Sequence, residues 1–313
     1  MKNKKGFTLI ELLAAIVLLA IIALIAVPIV LNLIKDSKKS SAVRSAEIYL
    51  EAAETFIVSD QLNNALNIDF SSNDTVTIKV KDLKKYGLKF KGNVPNDYAE
   101  LTVTKNGIVD INKFYIDNYQ ISMDKNSKEL YATRIDDIEK LYFSLKTLKY
   151  NLYLNSNQNH IGIRWDTDID IDLINKLKKY GVEIKLGTII LPLDYINNGD
   201  EFTKDVSDKI LSVEYDLSKD FFNADDLYFF TGAIIITNES TYNRNIVGRG
   251  YATITYKGKS ITYYADYIDN DINKNSISLS KLCYDFKNNN IDQYSNLSST
   301  LKEKVDKASD LYK

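Results

Sequence analysis

Gly6-Phe7-Thr8-Leu9-Ile10-Glu11, running straight into the apolar stretch 12–31, decides how the rest of the chain is read. Stretch 12–31 contains no charge and no polar side chain, and Lys2, Lys4 and Lys5 precede the glycine. At ~1.5 Å per residue it makes a helix of roughly 30 Å, the thickness of a bilayer's hydrocarbon core. Glu11 does not suit a plain anchor. A charged carboxylate in lipid costs about 2.5–3.5 kcal/mol at the bilayer centre, so it calls for a partner. An ordinary secretory signal is shorter and ends in an Ala-x-Ala type site, and none occurs here. Lysines flank the stretch on both sides (Lys2, Lys4, Lys5; Lys35, Lys38, Lys39), with Asp36 subtracting one, so charge alone sets no orientation.

The basic leader, the Gly6–Glu11 motif and the long apolar helix together resemble the precursors of type IV pilins and pseudopilins. The resemblance covers about the first 35 residues. It implies that a prepilin peptidase cuts between Gly6 and Phe7, leaving 1–6 as a cleaved cytoplasmic leader, and that Phe7 is then N-methylated. It implies that Glu11, with Thr8, serves subunit assembly, the carboxylate facing the N-terminal amine of a neighbouring subunit. Pro28 stands where many pilins carry a helix-breaking proline. Either a kink or local melting is expected there, or a proline tolerated among neighbouring helices. The implied partners are other pilin subunits, the prepilin peptidase, the assembly platform and, before assembly, the cytoplasmic membrane. The implied destination is an extracellular pilus on the cell surface.

Composition adds limits. The net charge is −2 and charged residues make up 26%, so no strong field points to nucleic acid. With 22 tyrosines and 12 phenylalanines there is ample aromatic mass for β-rich cores. Cys283 is the only cysteine, so no disulfide forms within the chain.

Taken in order, the helix is expected over 7–59, with 7–34 as its membrane or filament-core part. Ala42, Ala46, Tyr49, Leu50, Ala53, Phe56 and Ile57 recur at three- and four-residue steps and predict a stripe that packs on a globular head. That head is expected over 60–134. It has a strand at 75–80, a short helix at 81–88 closed by Gly87, a hairpin about Asn106-Gly107 and a second strand pair about Lys125-Asn126. Residues 135–159 read as a linking helix and loop, from the spacing of Ile135, Ile138, Leu141, Tyr142, Leu145, Leu148 and Leu152. Residues 160–270 read as a β-sandwich, with a bulge at Gly187, a buried strand over 227–237 and a hairpin about Lys257-Gly258. Motifs such as Ile163-Arg164-Trp165 and Val247-Gly248-Arg249-Gly250-Tyr251 make this block resemble an immunoglobulin-like module of clostridial-type surface proteins. Residues 271–313 form a C-terminal helical segment, with Ser295 as an expected cap. The fold class is therefore α+β: a long helical spine, a small antiparallel head and a second, sandwich-like domain.

Catalytic and metal chemistry finds few candidates. His160 is the only histidine and reads as a loop residue ahead of a strand; Cys283 reads as a small buried hydrophobe. Asp166, Asp168, Asp170 and Asp172 alternate with Thr167, Ile169 and Ile171. They are a weak calcium candidate, and a solvated loop is preferred. As an EF-hand the run fails, since Ile171 and Leu177 replace the turn glycine and the bidentate glutamate. No other cofactor is implied and no enzyme is expected. The reading is a structural subunit of a type IV pilus-like filament, a large minor pilin whose extra domain is exposed and adhesive toward an unidentified surface or host ligand. The alternatives are a pseudopilin of a type II secretion or DNA-uptake system, and a membrane-anchored surface enzyme.

Overall fold

A computed structural model describes residues 9–61, 75–155, 157, 159–197, 199–217, 219, 221–224 and 227–312. The chain divides into two compact units, Met1–Arg134 and Ile135–Lys313. It is an α+β protein, with one long helix followed by small antiparallel sheets.

The first unit begins with helix α1 (Leu9–Gln61). Pro28 lies inside α1, and the helix continues on both sides of it. Then come β1 (Val76–Lys79), α2 (Val80–Lys85), β2 (Glu100–Thr104), β3 (Gly107–Asn112), β4 (Tyr115–Ile116), β5 (Tyr119–Met123) and β6 (Leu130–Arg134). Helix α2 ends as its sequence predicts. Gly87 takes φ +114°, and Leu88 N–H donates to the Leu83 carbonyl at 2.9 Å. The strands form two separate three-stranded antiparallel sheets, β1-β2-β3 and β4-β5-β6. The break lies at Lys113. Its φ of 50° turns the chain out of β3, and the Asn112 side chain accepts its N–H at 2.9 Å.

Both sheets close on the second half of α1. Ala42, Ala46, Tyr49, Leu50, Ala53 and Ile57 are buried, together with Leu83, Leu101, Phe114, Ile116 and Ile121. Phe56, the remaining member of the expected stripe, is half-buried against this core. Alanine at 42, 46 and 53 keeps the helix surface low where the sheets approach it.

In the second unit, residues 135–145 carry no helix, and the expected linking helix does not form. Ile135, Ile138, Leu141, Phe143 and Leu145 are buried in irregular chain, and β7 (Lys146–Asn155) follows. The reason lies in a second period hidden in the same residues. Tyr150, Leu152 and Leu154 alternate, and as a strand they all reach the sandwich core. The helical spacing through Leu148 and Leu152 loses to that burial and to pairing with the next strand.

The unit continues with β8 (His160–Asp168), α3 (Ile171–Lys179), β9 (Glu183–Pro192), β10 (Leu211–Tyr215), β11 (Phe222–Ala224), β12 (Leu227–Ile235), β13 (Ile246–Tyr256), β14 (Lys259–Tyr264) and β15 (Ser276–Ile277). Helices α4 (Leu279–Asn289), α5 (Ile291–Ser295) and α6 (Ser299–Ser309) end it. One sheet runs β10-β9-β13-β14, with β15 also on β13; the other runs β11-β12-β8-β7. Lys257 (φ 50°) and Gly258 (φ 78°) form the two-residue turn between β13 and β14. The caps of α4 and α6 are Ser278 and Ser298, whose side chains accept from Lys281 N–H and Leu301 N–H at 3.3 Å. Ser295, the expected cap, ends α5 instead.

Glycines bring the two sheets together. A Cβ on Gly248 would lie 2.2 Å from the indole of Trp165, on Gly250 2.3 Å from Thr167 Oγ1, and on Gly232 2.2 Å from Thr188. These glycines are sockets for side chains of the opposite sheet. Gly187 makes room within its own sheet instead: a Cβ there would meet the Tyr251 hydroxyl of β13 and the Val213 carbonyl of β10 at 2.6 Å. The bulge expected at Gly187 is absent, since β9 keeps unbroken register with β10 and β13 through it. Strand β12 is buried on one face rather than both, with Phe230 and Gly232 inward.

Candidate functional site

Gly6, Phe7 and Thr8, the expected cleavage and methylation residues, lie outside the described residues. Glu11 stands in the first turn of α1 and is exposed. Carboxylates are favoured at that end of a helix, where the N–H groups of the first turn point outward. Beyond it the apolar helix surface is open all round. Eighteen large hydrophobic residues between Leu9 and Ile34 are exposed, Leu9 at 87% and Leu24 at 76%.

A helix apolar on every side belongs in a membrane or in a bundle of its own kind. At ~1.5 kcal/mol or more per large apolar side chain, leaving this surface in water forgoes more than about 25 kcal/mol. That exceeds the ~5–15 kcal/mol net stability of a typical domain, so something covers it. Among the described residues α1 is the one helix long and apolar enough to cross a membrane, with a mean hydropathy of 3.2 over its most apolar window.

The second half of α1 is fastened to the head by polar contacts as well. The Glu54 carboxylate accepts Ile108 N–H at 3.1 Å, at the start of β3. The Tyr119 hydroxyl donates to the Lys35 carbonyl at 3.4 Å. Glu54 lies outside the apolar stripe that the spacing of this helix predicts. Its partner is 54 positions away, and no local pattern marks such a contact.

The acidic run is not the solvated loop expected from its sequence. Asp166 and Asp168 lie on β8 and are buried. Asp170 caps α3, accepting Leu173 N–H at 3.0 Å, and Asp172 follows in the first turn. The run thus spans a strand end and a helix start, which send the carboxylates different ways. Asn151 donates to Asp166 at 3.1 Å. Burial raises the Asp166 pKa, against Arg164, Lys149 and that hydrogen bond. Among the described residues no three His, Cys, Asp or Glu side chains gather closely enough to hold a metal ion.

His160 opens β8, paired with Asn155, rather than sitting in a loop. Cys283 is fully buried in the sandwich core, and burial pushes its thiol up to about 12. It is a protonated, apolar filler at neutral pH.

Residues 1–27 match the family model described as the prokaryotic N-terminal methylation motif. No curated protein and no solved structure matches the chain. The chain therefore carries the N-terminal methylation motif of a type IV pilin-like leader, placed at the head of a helix whose first half is apolar and open on all sides.

Proposed function

We propose that this chain is a structural subunit of a type IV pilus-like filament, and within it a large minor pilin. One observation carries the reading: a methylation motif over residues 1–27 leads into a helix with an uncovered apolar half and a docked half. A prepilin peptidase cuts between Gly6 and Phe7, and Phe7 is methylated. The helix rests in the cytoplasmic membrane and is drawn from there into a bundle of like helices. Glu11 then meets the Phe7 amine of a neighbour, and the two charges neutralise each other in an apolar place. Leaving lipid for a helix bundle exchanges one apolar surrounding for another, so the step is close to balanced and reversible.

The second unit, Ile135–Lys313, is large for a position repeated along a filament. A low copy number or a place at the tip follows from that size, with an adhesive role for the sandwich. A pseudopilin of a secretion or DNA-uptake machine would share the same motif. Sheared surface filaments separate the two, since a pseudopilin is missing from them. The deciding test of processing is mass spectrometry of the native N-terminus. A chain beginning at methylated Phe7 is expected; one beginning at Met1, or cut near Ala26, would overturn the reading.

A further inference from the structure

A groove of about 600 Å³ runs beside α1 just above its apolar half. One wall is α1 itself, with Asp36, Lys39, Ser40, Val43, Arg44 and Glu47; the other is β6, with Leu130, Tyr131 and Ala132. The apolar part of the groove is Val43, Leu130 and Ala132, which also pack on the head core. Tyr131 stands beside them, 52% exposed. The charges carry both signs: Asp36 and Lys39 are open to water, and Arg44 pairs with Glu47 at 2.9 Å. Apolar surface within a mixed polar rim is the build of a protein contact.

Helical phase ties this groove to the far end of α1. Its six α1 residues recur at three- and four-residue steps and share one face. Followed downward at ~3.6 residues per turn, that face crosses the open half and arrives at Glu11, about ten turns below Glu47. Leu18, Ile22, Ile25 and Ile29 stand on the same line, each more than half exposed. The helix is continuous from Glu11 to Glu47, Pro28 included. A parallel helix that meets Glu11 and follows this line therefore reaches the groove without changing sides.

We propose that the groove holds the first helix of a neighbouring subunit, the one whose N-terminal amine meets Glu11. This rests on the pilus reading above. With the neighbour's first residue level with Glu11, its helix stands about four residues, or ~6 Å, further toward the head. The part of it that corresponds to 32–43 then passes the groove. In a like helix that part changes from apolar to charged, as Leu33, Ile34, Lys35 and Asp36 do here, and so meets both kinds of surface in the groove.

Photo-crosslinking in filament-forming cells tests this, with p-benzoylphenylalanine in place of Tyr131 and, separately, of Lys39. Filaments are sheared, irradiated and digested, and the crosslinked peptides are identified by mass spectrometry. Both positions are expected to join the first helix of another pilin subunit, in the part corresponding to 32–43. In irradiated whole cells Glu11→Ala is expected to abolish the adduct. Should the Tyr131 label keep the chain out of filaments, the Lys39 label on the exposed helix wall carries the test. No adduct, an adduct with a different part of a neighbour, or an adduct that persists in Glu11→Ala overturns the proposal and leaves the pilus reading standing. Absence of the unlabelled chain from the filaments overturns that reading, and the proposal with it.

Discussion

The two halves of α1 share one backbone conformation and have opposite surroundings. From Leu9 to Ile34 the large side chains stand open, whereas Ala42, Ala46, Tyr49, Ala53 and Ile57 are almost wholly covered. The difference lies in side-chain choice. The first half is bulky and apolar on every face. The second alternates small apolar residues with Arg44, Glu47, Glu51 and Glu54, so one stripe packs while the rest meets water. A helix built this way has finished folding at one end and not at the other. Its open end acquires a core only from lipid or from other subunits.

The largest effect is expected where that open end begins. Glu11→Ala removes the carboxylate proposed to answer a neighbour's amine, and loss of the chain from sheared filaments is expected. Circular dichroism should show the head still folded. Unchanged incorporation of the variant would break the contrast between the halves, because the open half would then need no charge pairing.

A matched pair of substitutions comes next. Ala46→Leu forces a larger side chain into the fully buried stripe, and a loss of about 1–3 kcal/mol in head stability is expected from overpacking. Leu19→Ala, in the exposed half, should move the same unfolding transition in detergent by less than about 0.5 kcal/mol. Equal shifts would mean that the halves are not energetically separate. Glu54→Ala should cost about 1–2 kcal/mol, since Ile108 N–H then loses its acceptor; denaturant unfolding measures it.

The smallest effect at physiological pH, and a growing one in alkali, belongs to the second unit. The Cys283 thiol is raised from 9.0 to about 12 by burial. The folded state therefore holds its proton where the unfolded chain releases it. The stability this contributes is complete below pH 9.0 and is lost as pH rises toward about 12, at ~1.4 kcal/mol per pH unit. Cys283→Ala should flatten the slope of the melting midpoint between pH 9.0 and about 12. An unchanged slope would assign it to buried tyrosines such as Tyr263, whose pKa is also raised by burial.

Several of these features were legible in advance because they depend on near neighbours. The stripe on α1 follows from three- and four-residue spacing, and the hairpins follow from Asn106-Gly107 and Lys257-Gly258. Residues 135–155 misled because two periods overlap there, and the alternating Tyr150, Leu152 and Leu154 prevail once a partner strand is present. The acidic run misled because its even spacing crosses from β8 into α3, where side chains stop alternating. The glycines of Val247–Tyr251 drew notice as a motif, yet their role depends on Trp165 and Thr167 in the opposite sheet.

By itself the sequence determined the leader motif, the two characters of α1 and the α+β class, because each is a statement about adjacent residues and their periods. Only the tertiary structure decided the rest. It split the head into two sheets at Lys113, turned glycines into sockets for Trp165 and Thr188, and left the Tyr49 hydroxyl buried without a partner. Those outcomes depend on which distant segments meet, and burial and pairing across such distances outweigh local preference.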